Sequence, residues 1–503
     1  MYTKYILLYI YIKYMNNLNN RKLRDERINK IRNMYNKYSF NKKMFILGFG
    51  AIGKPILFMI LKLININPNN ITVIHKEKLT FEKEEFINKG VKFINSTITD
   101  KNYKLILDTV NKGDIIIDCA YDISTIDILN FCESRNCNFI NSCINDWDYD
   151  IIDDPIKYSM KYKNDKIIEL NNTMLNKKFN AIISMGCNPG NVSIWVKLGL
   201  EKINKKYNYK YKSYAELARM LGVQVIHISE RDTQKSSLPK KTGEYCNTWS
   251  TDGECFIEES LGCVEASWGT HETKIPENTL VLDNNYILIN KMGIFTKAQS
   301  IIPIYGRYIG NIVRHDESHT IGKALEIIEN NQIIYKPSVY YVYHPCDSAK
   351  ISIDEVIEKD LYYQNKYRLL TNEIISGRDI LGLTFFLENK EVYWIGSLLT
   401  IDEAREIFEY KFNKYINATN VQVMIGYLSG IIHIIDLLKD NKYNGIMIPD
   451  DLPHEKIFKI SKPFLGEFIF KQINDFKLIK YTHKFTDQHM YTNEWLFENF
   501  IIS

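Results

Sequence analysis

From Met44 onward the apolar and polar positions fall into two alternating periods. Met44–Leu47 is a four-residue apolar run, followed by a glycine-rich turn and then by residues 54–63, whose length and apolar spacing predict a helix. A second apolar run at 71–74 comes directly after the breaker Asn67-Pro68-Asn69-Asn70. Strand, helix and strand in that order form one βαβ unit. Further short apolar runs at 91–94, 114–119, 139–141 and 181–184 alternate with helical stretches, which predicts a doubly wound parallel sheet over residues 44–190. Beyond it the pattern changes to mixed segments with Gly- and Trp-containing loops, at 247–272 and 302–312. These predict a second, α+β, largely antiparallel substrate and dimerisation domain over 191–400. Residues 401–503 read as a helical region packing back on the first domain, with an apolar stretch at 421–438 that is either a subunit face or core.

Residues 1–43 stand apart. An apolar run from Tyr5 to Tyr14 is too short for the ~20 residues of a membrane span, and no small-residue cleavage site follows it. The expectation is an appendage, poorly ordered or ahead of the true start, because Met44 lies immediately before the first strand.

A chain of 503 residues exceeds what one core supports, so at least two domains are required. The 64 basic and 60 acidic residues nearly cancel, which argues against nucleic acid or an anionic membrane as partner. The nine cysteines are scattered and odd in number, with no CxxC pair, so a reducing cytoplasm fits better than a disulfide scaffold or a zinc site. None of the ten histidines has metal-ligand spacing, and no metal is expected.

Gly48-Phe49-Gly50-Ala51-Ile52-Gly53 matches GxGxxG between a predicted strand and a predicted helix, the context that makes this pattern a dinucleotide-binding fingerprint of a Rossmann-type fold. Gly48 suits the tight turn, Gly50 leaves room for a pyrophosphate, Gly53 allows close helix packing, and the backbone of Ala51 and Ile52 opens the helix toward the phosphates. A ribose-binding acid is expected about 20 residues on, where the chain reads His75-Lys76-Glu77. Glu77 is the candidate, which favours NAD; Lys76 would instead suit a 2′-phosphate. Asp122 either contacts the cofactor or substrate or caps the helix that follows it.

Cys119-Ala120-Tyr121-Asp122, Ser142-Cys143-Ile144-Asn145-Asp146-Trp147 and Gly186-Cys187-Asn188-Pro189-Gly190 resemble strings of the saccharopine dehydrogenase superfamily. His227-Ile228-Ser229-Glu230-Arg231-Asp232-Thr233-Gln234, Asn247-Thr248-Trp249-Ser250, Trp268-Gly269-Thr270-His271-Glu272 and His315-Asp316-Glu317-Ser318 are similar to one branch of it, the bacterial-type homospermidine synthases. The resemblance spans residues 44–453. It implies a cytoplasmic homodimer using bound NAD to join two putrescines, or spermidine and putrescine, into homospermidine with loss of ammonia or 1,3-diaminopropane, through imines and with no net redox change.

The same resemblance assigns Glu230 to holding or deprotonating an amine, Trp249 to cation–π contact with an ammonium or iminium, and His315 to the substrate pocket or to shuttling a proton; Asn188, in a Gly-rich turn after a strand, bonds either substrate or its own loop. Glu259 matches a substrate-side acid, although the segment 252–259 is two residues longer than the family pattern and Glu258 is an alternative. Asn145 stands where the family carries an acid, and Asp146 replaces the next proline, so either Asp146 takes over that charge or one anion is lost. On the residues alone, Glu230 is equally a salt-bridge partner for Arg231 and Trp249 equally a core side chain. A saccharopine- or carboxynorspermidine-type dehydrogenase would need clustered Arg or Lys, where this chain offers acids and Trp. A non-catalytic dinucleotide sensor is the third reading.

Overall fold

The computed structural model describes residues 22–77, 81–147, 154–251, 259–362, 364, 366–480 and 490–502. The first domain opens with strand β1 (Met44–Leu47) and helix α1 (Gly53–Leu63), then β2 (Ile71–His75), β3 (Lys92–Asn95), β4 (Ile115–Asp118), helix α2 (Thr125–Arg135), β5 (Asn138–Ile140) and β6 (Asn180–Ile182). Their order in the sheet is β3-β2-β1-β4-β5-β6, every pair parallel. All four residues of β1 and of β4 are buried, as strands covered on both faces must be. The strand order reverses between β1 and its neighbours β2 and β4, which opens a crevice at their carboxyl ends.

The second domain begins with helix α3 (Asn191–Tyr207) and carries β7 (Val223–Asp232), β8 (Cys263–Ser267), β9 (Thr279–Leu282), β10 (Tyr286–Met292), β11 (Lys297–Ile302), β12 (Gly306–Val313), helix α4 (Asp316–Ala324), β13 (Ser338–His344), β14 (Arg378–Leu387) and β15 (Val392–Thr400). The order β9-β10-β8-β13-β7-β14-β15 is antiparallel throughout except for the parallel pair β13–β7, and the β11–β12 hairpin joins β13. Alternation along β7 sorts its side chains: Ile226 and Ile228 enter the core shared with the first domain, and Val225 enters a separate core on the other sheet face. Trp495, Phe497 and Phe500 cover that second face.

The C-terminal region is more than helical. Helix α5 (Ala418–Lys439) is followed by β16 (Gly445–Met447), which adds a seventh parallel strand beside β6, and by β17 (Phe468–Ile473), which extends the second sheet beside β15. By length and apolarity α5 would also pass as a membrane span, but 83% of its most apolar window is buried in this fold. Val421, Met424, Ile425, Leu428 and Ile432 belong to the shared core, so of the two readings of 421–438, subunit face or core, these residues follow the second.

The expectation that residues 1–43 form a poorly ordered appendage is corrected for residues 22–43; residues 1–21 lie outside the described residues. A helix over 22–32 buries Ile31, and Tyr38–Ser39 pairs in parallel with Ile64–Asn65. The tie is partly electrostatic, invisible to an apolar-period reading: Arg27, 9% exposed, donates to the Glu403 carbonyl at 3.0 Å and pairs with Glu403 and Glu406. Arg27→Ala is expected to cost about 2 kcal/mol, the cost of leaving shielded partners unsatisfied, read as a lowered urea midpoint with an unchanged m-value.

Candidate active site

The crevice at the switch point is a cleft of about 350 Å³ between the glycine turn and the second sheet. Gly48 has φ +92°, and a Cβ there would lie 2.7 Å from the Cys119 carbonyl oxygen. A Cβ on Gly53 would lie 2.2 Å from the Gly48 oxygen, so α1 starts where only glycine fits. Ile52 at the N-cap offers no side-chain cap, and the first turn holds no acid. Within α1 the Lys54 amide goes to the Gly50 carbonyl, Pro55 has none and the Ile56 amide goes to Ile52, so the amides offered to a ligand's anion are those of the turn that leads into Gly53, where Gly48, Gly50, Ala51 and Ile52 line the cleft. This donor set fits a dinucleotide diphosphate.

At the other end β7, β13 and the turn after β6 converge. Glu230 Oε2 accepts from Asn188 Nδ2 at 2.7 Å and from the Tyr341 hydroxyl at 2.7 Å. Burial pushes the Glu230 carboxyl up to about 7, against the lowering effect of those two donors. Asp232 lies on the same strand face. Burial pushes it up to about 6, and its Oδ2 accepts from Thr248 at 2.6 Å. The antiparallel register sets Asp379 of β14 opposite Asp232, making three buried acids in one cluster. Burial and the negative charge of Glu230 and Asp232 hold Asp379 well above the carboxylate range, so the cluster retains a proton near neutrality.

Three rings form the wall beside Glu230. Tyr341 and Tyr343 stack at 5.5 Å and 18°, and Trp249 meets Tyr343 edge-on at 5.6 Å. His315 lies 4.9 Å from the Tyr341 ring, and its Nδ1 is 2.6 Å from Glu317 Oε2. Burial alone would lower the His315 pKa; the adjacent Glu317 carboxylate reverses this and raises it to about 9. His315 Nε2 lies 3.9 Å from Glu259. Among the described residues lining the cleft the acids are Asp122, Glu230 and Glu259, and Lys76 is the one Lys or Arg. That lining suits a cationic substrate.

Residues 44–178 match the saccharopine dehydrogenase NADP binding domain, and residues 186–473 match the saccharopine dehydrogenase C-terminal domain. A homospermidine synthase of Blastochloris viridis is 30% identical over 445 residues, 84% of this chain and 90% of that protein. One from Mesorhizobium japonicum is 27% identical over 448 residues, 84% of this chain and 88% of its own. The chain belongs to the homospermidine synthase family. The homospermidine synthase of Legionella pneumophila, solved in complex with NAD, superposes with a TM-score of 0.83 at 30% identity, covering 92% of this chain and 98% of that one.

Within this homospermidine synthase fold, Glu230, Trp249, Glu259, His315, Asn188 and Asp122 all line the same cleft as the glycine turn. Glu230 and Arg231 do not pair: strand alternation turns Arg231 away, over the Tyr305 ring at 4.8 Å. Asp122 does not cap α2, because Ser124 does, accepting from the Asp127 amide. Three expectations are corrected. Glu77 does not line the cleft; its side chain is 71% exposed and lies 3.4 Å from His75 Nε2. Asn145 is buried in its own turn, its amide donating to Cys143 Sγ at 3.3 Å and its backbone N–H to Thr125 Oγ1, and Asp146 faces solvent. Neither replaces the family's acid in the cleft. Glu258 lies outside the described residues.

The sequence reading missed Tyr341, Tyr343, Glu317 and Asp379. The strand Ser338–His344 reads S-V-Y-Y-V-Y-H, and its period of two already places Tyr341 and Tyr343 on one face. Asp379 carried no comparable signal, since only strand pairing brings it to Asp232. His227 lies on the far sheet face against Phe386 and Phe500, and His271 bonds the Trp495 carbonyl; both serve packing.

Proposed function

We propose that this chain is a homospermidine synthase whose cleft joins two diamines, putrescine with putrescine or with spermidine. The observation that carries this reading is Glu230, a buried carboxylate poised at about 7 beside a Trp249–Tyr343–Tyr341 wall in the same cleft as the glycine turn. NAD, when bound, takes a hydride from the carbon bearing the reacting amine and later gives it back. Glu230 takes the proton that an ammonium must shed before that carbon is oxidised or before the second amine attacks. Trp249 and the stacked tyrosines hold the cationic imine carbon chain by cation–π attraction. Attack of the second amine on the imine carbon releases ammonia, or 1,3-diaminopropane when spermidine is the donor, with a proton available from cationic His315. Asp122 and Glu259 offer carboxylates to the remote ammonium groups. Burial of Glu230, Tyr341, Tyr343 and His315 limits the water that reaches the imine.

A saccharopine- or carboxynorspermidine-type substrate would bring a carboxylate to a lining whose one Lys or Arg among the described residues, Lys76, lies at the opposite end beside the second strand, while cationic His315 is already paired with Glu317. The test is incubation with NAD and putrescine followed by mass spectrometry. Homospermidine and ammonia without accumulating NADH support the reading; accumulating NADH makes the chain a plain amine dehydrogenase, and bound NAD without turnover makes it a sensor.

Trp249→Ala is expected to raise KM for putrescine about tenfold or more, the equivalent of losing ~2 kcal/mol of desolvated cation–π attraction, with Trp249→Phe recovering most of it in steady-state assays. We also place the chain in the cytoplasm as a homodimer. The eight described cysteines are all free thiols, which supports a reducing compartment. Leu280 and Val281, about half exposed on strand β9 at the end of the second sheet, support an interface there. Light scattering at twice the chain mass is the expected result.

A further inference from the structure

In a dinucleotide turn the second glycine is where the backbone comes closest to a bound diphosphate. That glycine is Gly50, and a Cβ placed on it would lie 3.1 Å from Thr251 Oγ1 and 4.0 Å from Thr251 Cγ2. Apart from the chain neighbours of Gly50, no other described residue comes within 4 Å of that point. A hydroxyl of the second domain thus stands over the glycine of the first.

Thr251 ends a short segment that also carries Trp249. The strand Glu244–Asn247 leads into it, paired with Lys366–Leu369, and the chain passes from buried Asn247 and Thr248 to exposed Thr251. Its base is tied from three sides. Asn247 Oδ1 accepts the amides of Trp249 at 2.9 Å and Ser250 at 2.8 Å, the Thr248 hydroxyl donates to Asp232 at 2.6 Å, and Asn417, the cap of α5, donates to the Thr248 carbonyl at 2.7 Å. These ties stop at Ser250, one residue short of the hydroxyl that faces Gly50. Trp249, Ser250 and Thr251 all line the cleft, so a single tip meets both the glycine turn and, through Trp249 against Tyr343, the substrate wall.

We propose that Thr251 is a positioning residue that couples the two ends of the cleft: its hydroxyl donates to the bound dinucleotide diphosphate in front of Gly50, which fixes the tip and with it Trp249, so that a diamine binds the cofactor-loaded cleft more tightly than the empty one. The inference rests on the diamine reading of the cleft. By reciprocity the diamine tightens the cofactor by the same factor.

Calorimetric titration of putrescine into the full chain, once free of nucleotide and once saturated with NADH, tests this; the reduced cofactor cannot take a hydride, so no turnover intervenes. The expected result is a putrescine Kd at least about fivefold lower in the NADH-loaded chain. Thr251→Val keeps the shape and removes the hydroxyl. It is expected to bring that ratio below about twofold and to weaken NADH about tenfold, the loss of one bond to a charged group, with the NADH binding that remains reporting that it folds. Thr251→Ser is expected to restore both values. Equal putrescine affinity in the two forms of the unaltered chain, or a Thr251→Val chain that keeps the fivefold ratio, overturns the coupling and leaves the synthase reading standing. Putrescine that binds neither form overturns both.

Discussion

Glu230→Gln lowers kcat by about 10²–10⁴-fold, the range that a positioned proton acceptor contributes, while NAD binds as before. The amide keeps the shape of the carboxylate and still faces Asn188 and Tyr341, each 2.7 Å away in the parent chain. What it loses is the ability to take a proton. Burial is the largest cause of the raised Glu230 pKa, about 7, so the reactive carboxylate form is populated as pH rises. kcat/KM therefore climbs tenfold per pH unit below about 7 and levels above it. His315 is cationic below about 9, held so by Glu317, and the profile falls again as pH rises through that value. A pH–rate series on the parent chain and on Glu230→Gln checks this: the variant loses the limb near 7 and keeps the one near 9. A variant that keeps both limbs and full rate removes Glu230 from the chemistry.

Gly53→Ala has the second large effect. The new Cβ would sit 2.2 Å from the Gly48 backbone oxygen, and backbone cannot swing aside as a side chain does. Relief requires the glycine turn and the start of α1 to separate, at a cost of about 1–3 kcal/mol for an overpacked site. The uncapped amides ahead of Gly53 then lose their alignment. NAD affinity is expected to fall about 10- to 100-fold, measured by calorimetry, with circular dichroism showing that the helices remain. Unchanged affinity would mean that the turn does not hold the diphosphate.

Local signals were legible wherever chemistry and spacing coincide. The apolar runs located six of the seven strands of the first sheet, all but Gly445–Met447, because parallel strands buried on both faces leave few polar positions. The glycine turn was readable because each glycine answers a steric demand made within a few residues of it. Glu230, Trp249 and His315 were reachable through strings that include them. Asp379 was not, because its role exists only through the antiparallel pairing of β14 with β7. Glu77 was misplaced for a related reason: spacing gave the end of the second strand, but Asn95, twenty residues downstream, decides which side chain of the turn faces the cleft.

The sequence by itself determined the α/β class, the dinucleotide turn and the acidic, aromatic chemistry of the substrate end, since these depend on period, sterics and residue type within short windows. Tertiary structure decided which acids share a proton, which residue stands at the ribose edge, and where the C-terminal segments go. It divided the described residues of 401–502 between both sheets, buried the apolar face of α5 in the interior, and tied residues 22–43 to the core through Arg27. The physical reason is common to all three. A carboxylate's proton affinity and a side chain's exposure are set by neighbours brought close through strand pairing and packing, often hundreds of residues away in the chain, and neither has a period to read.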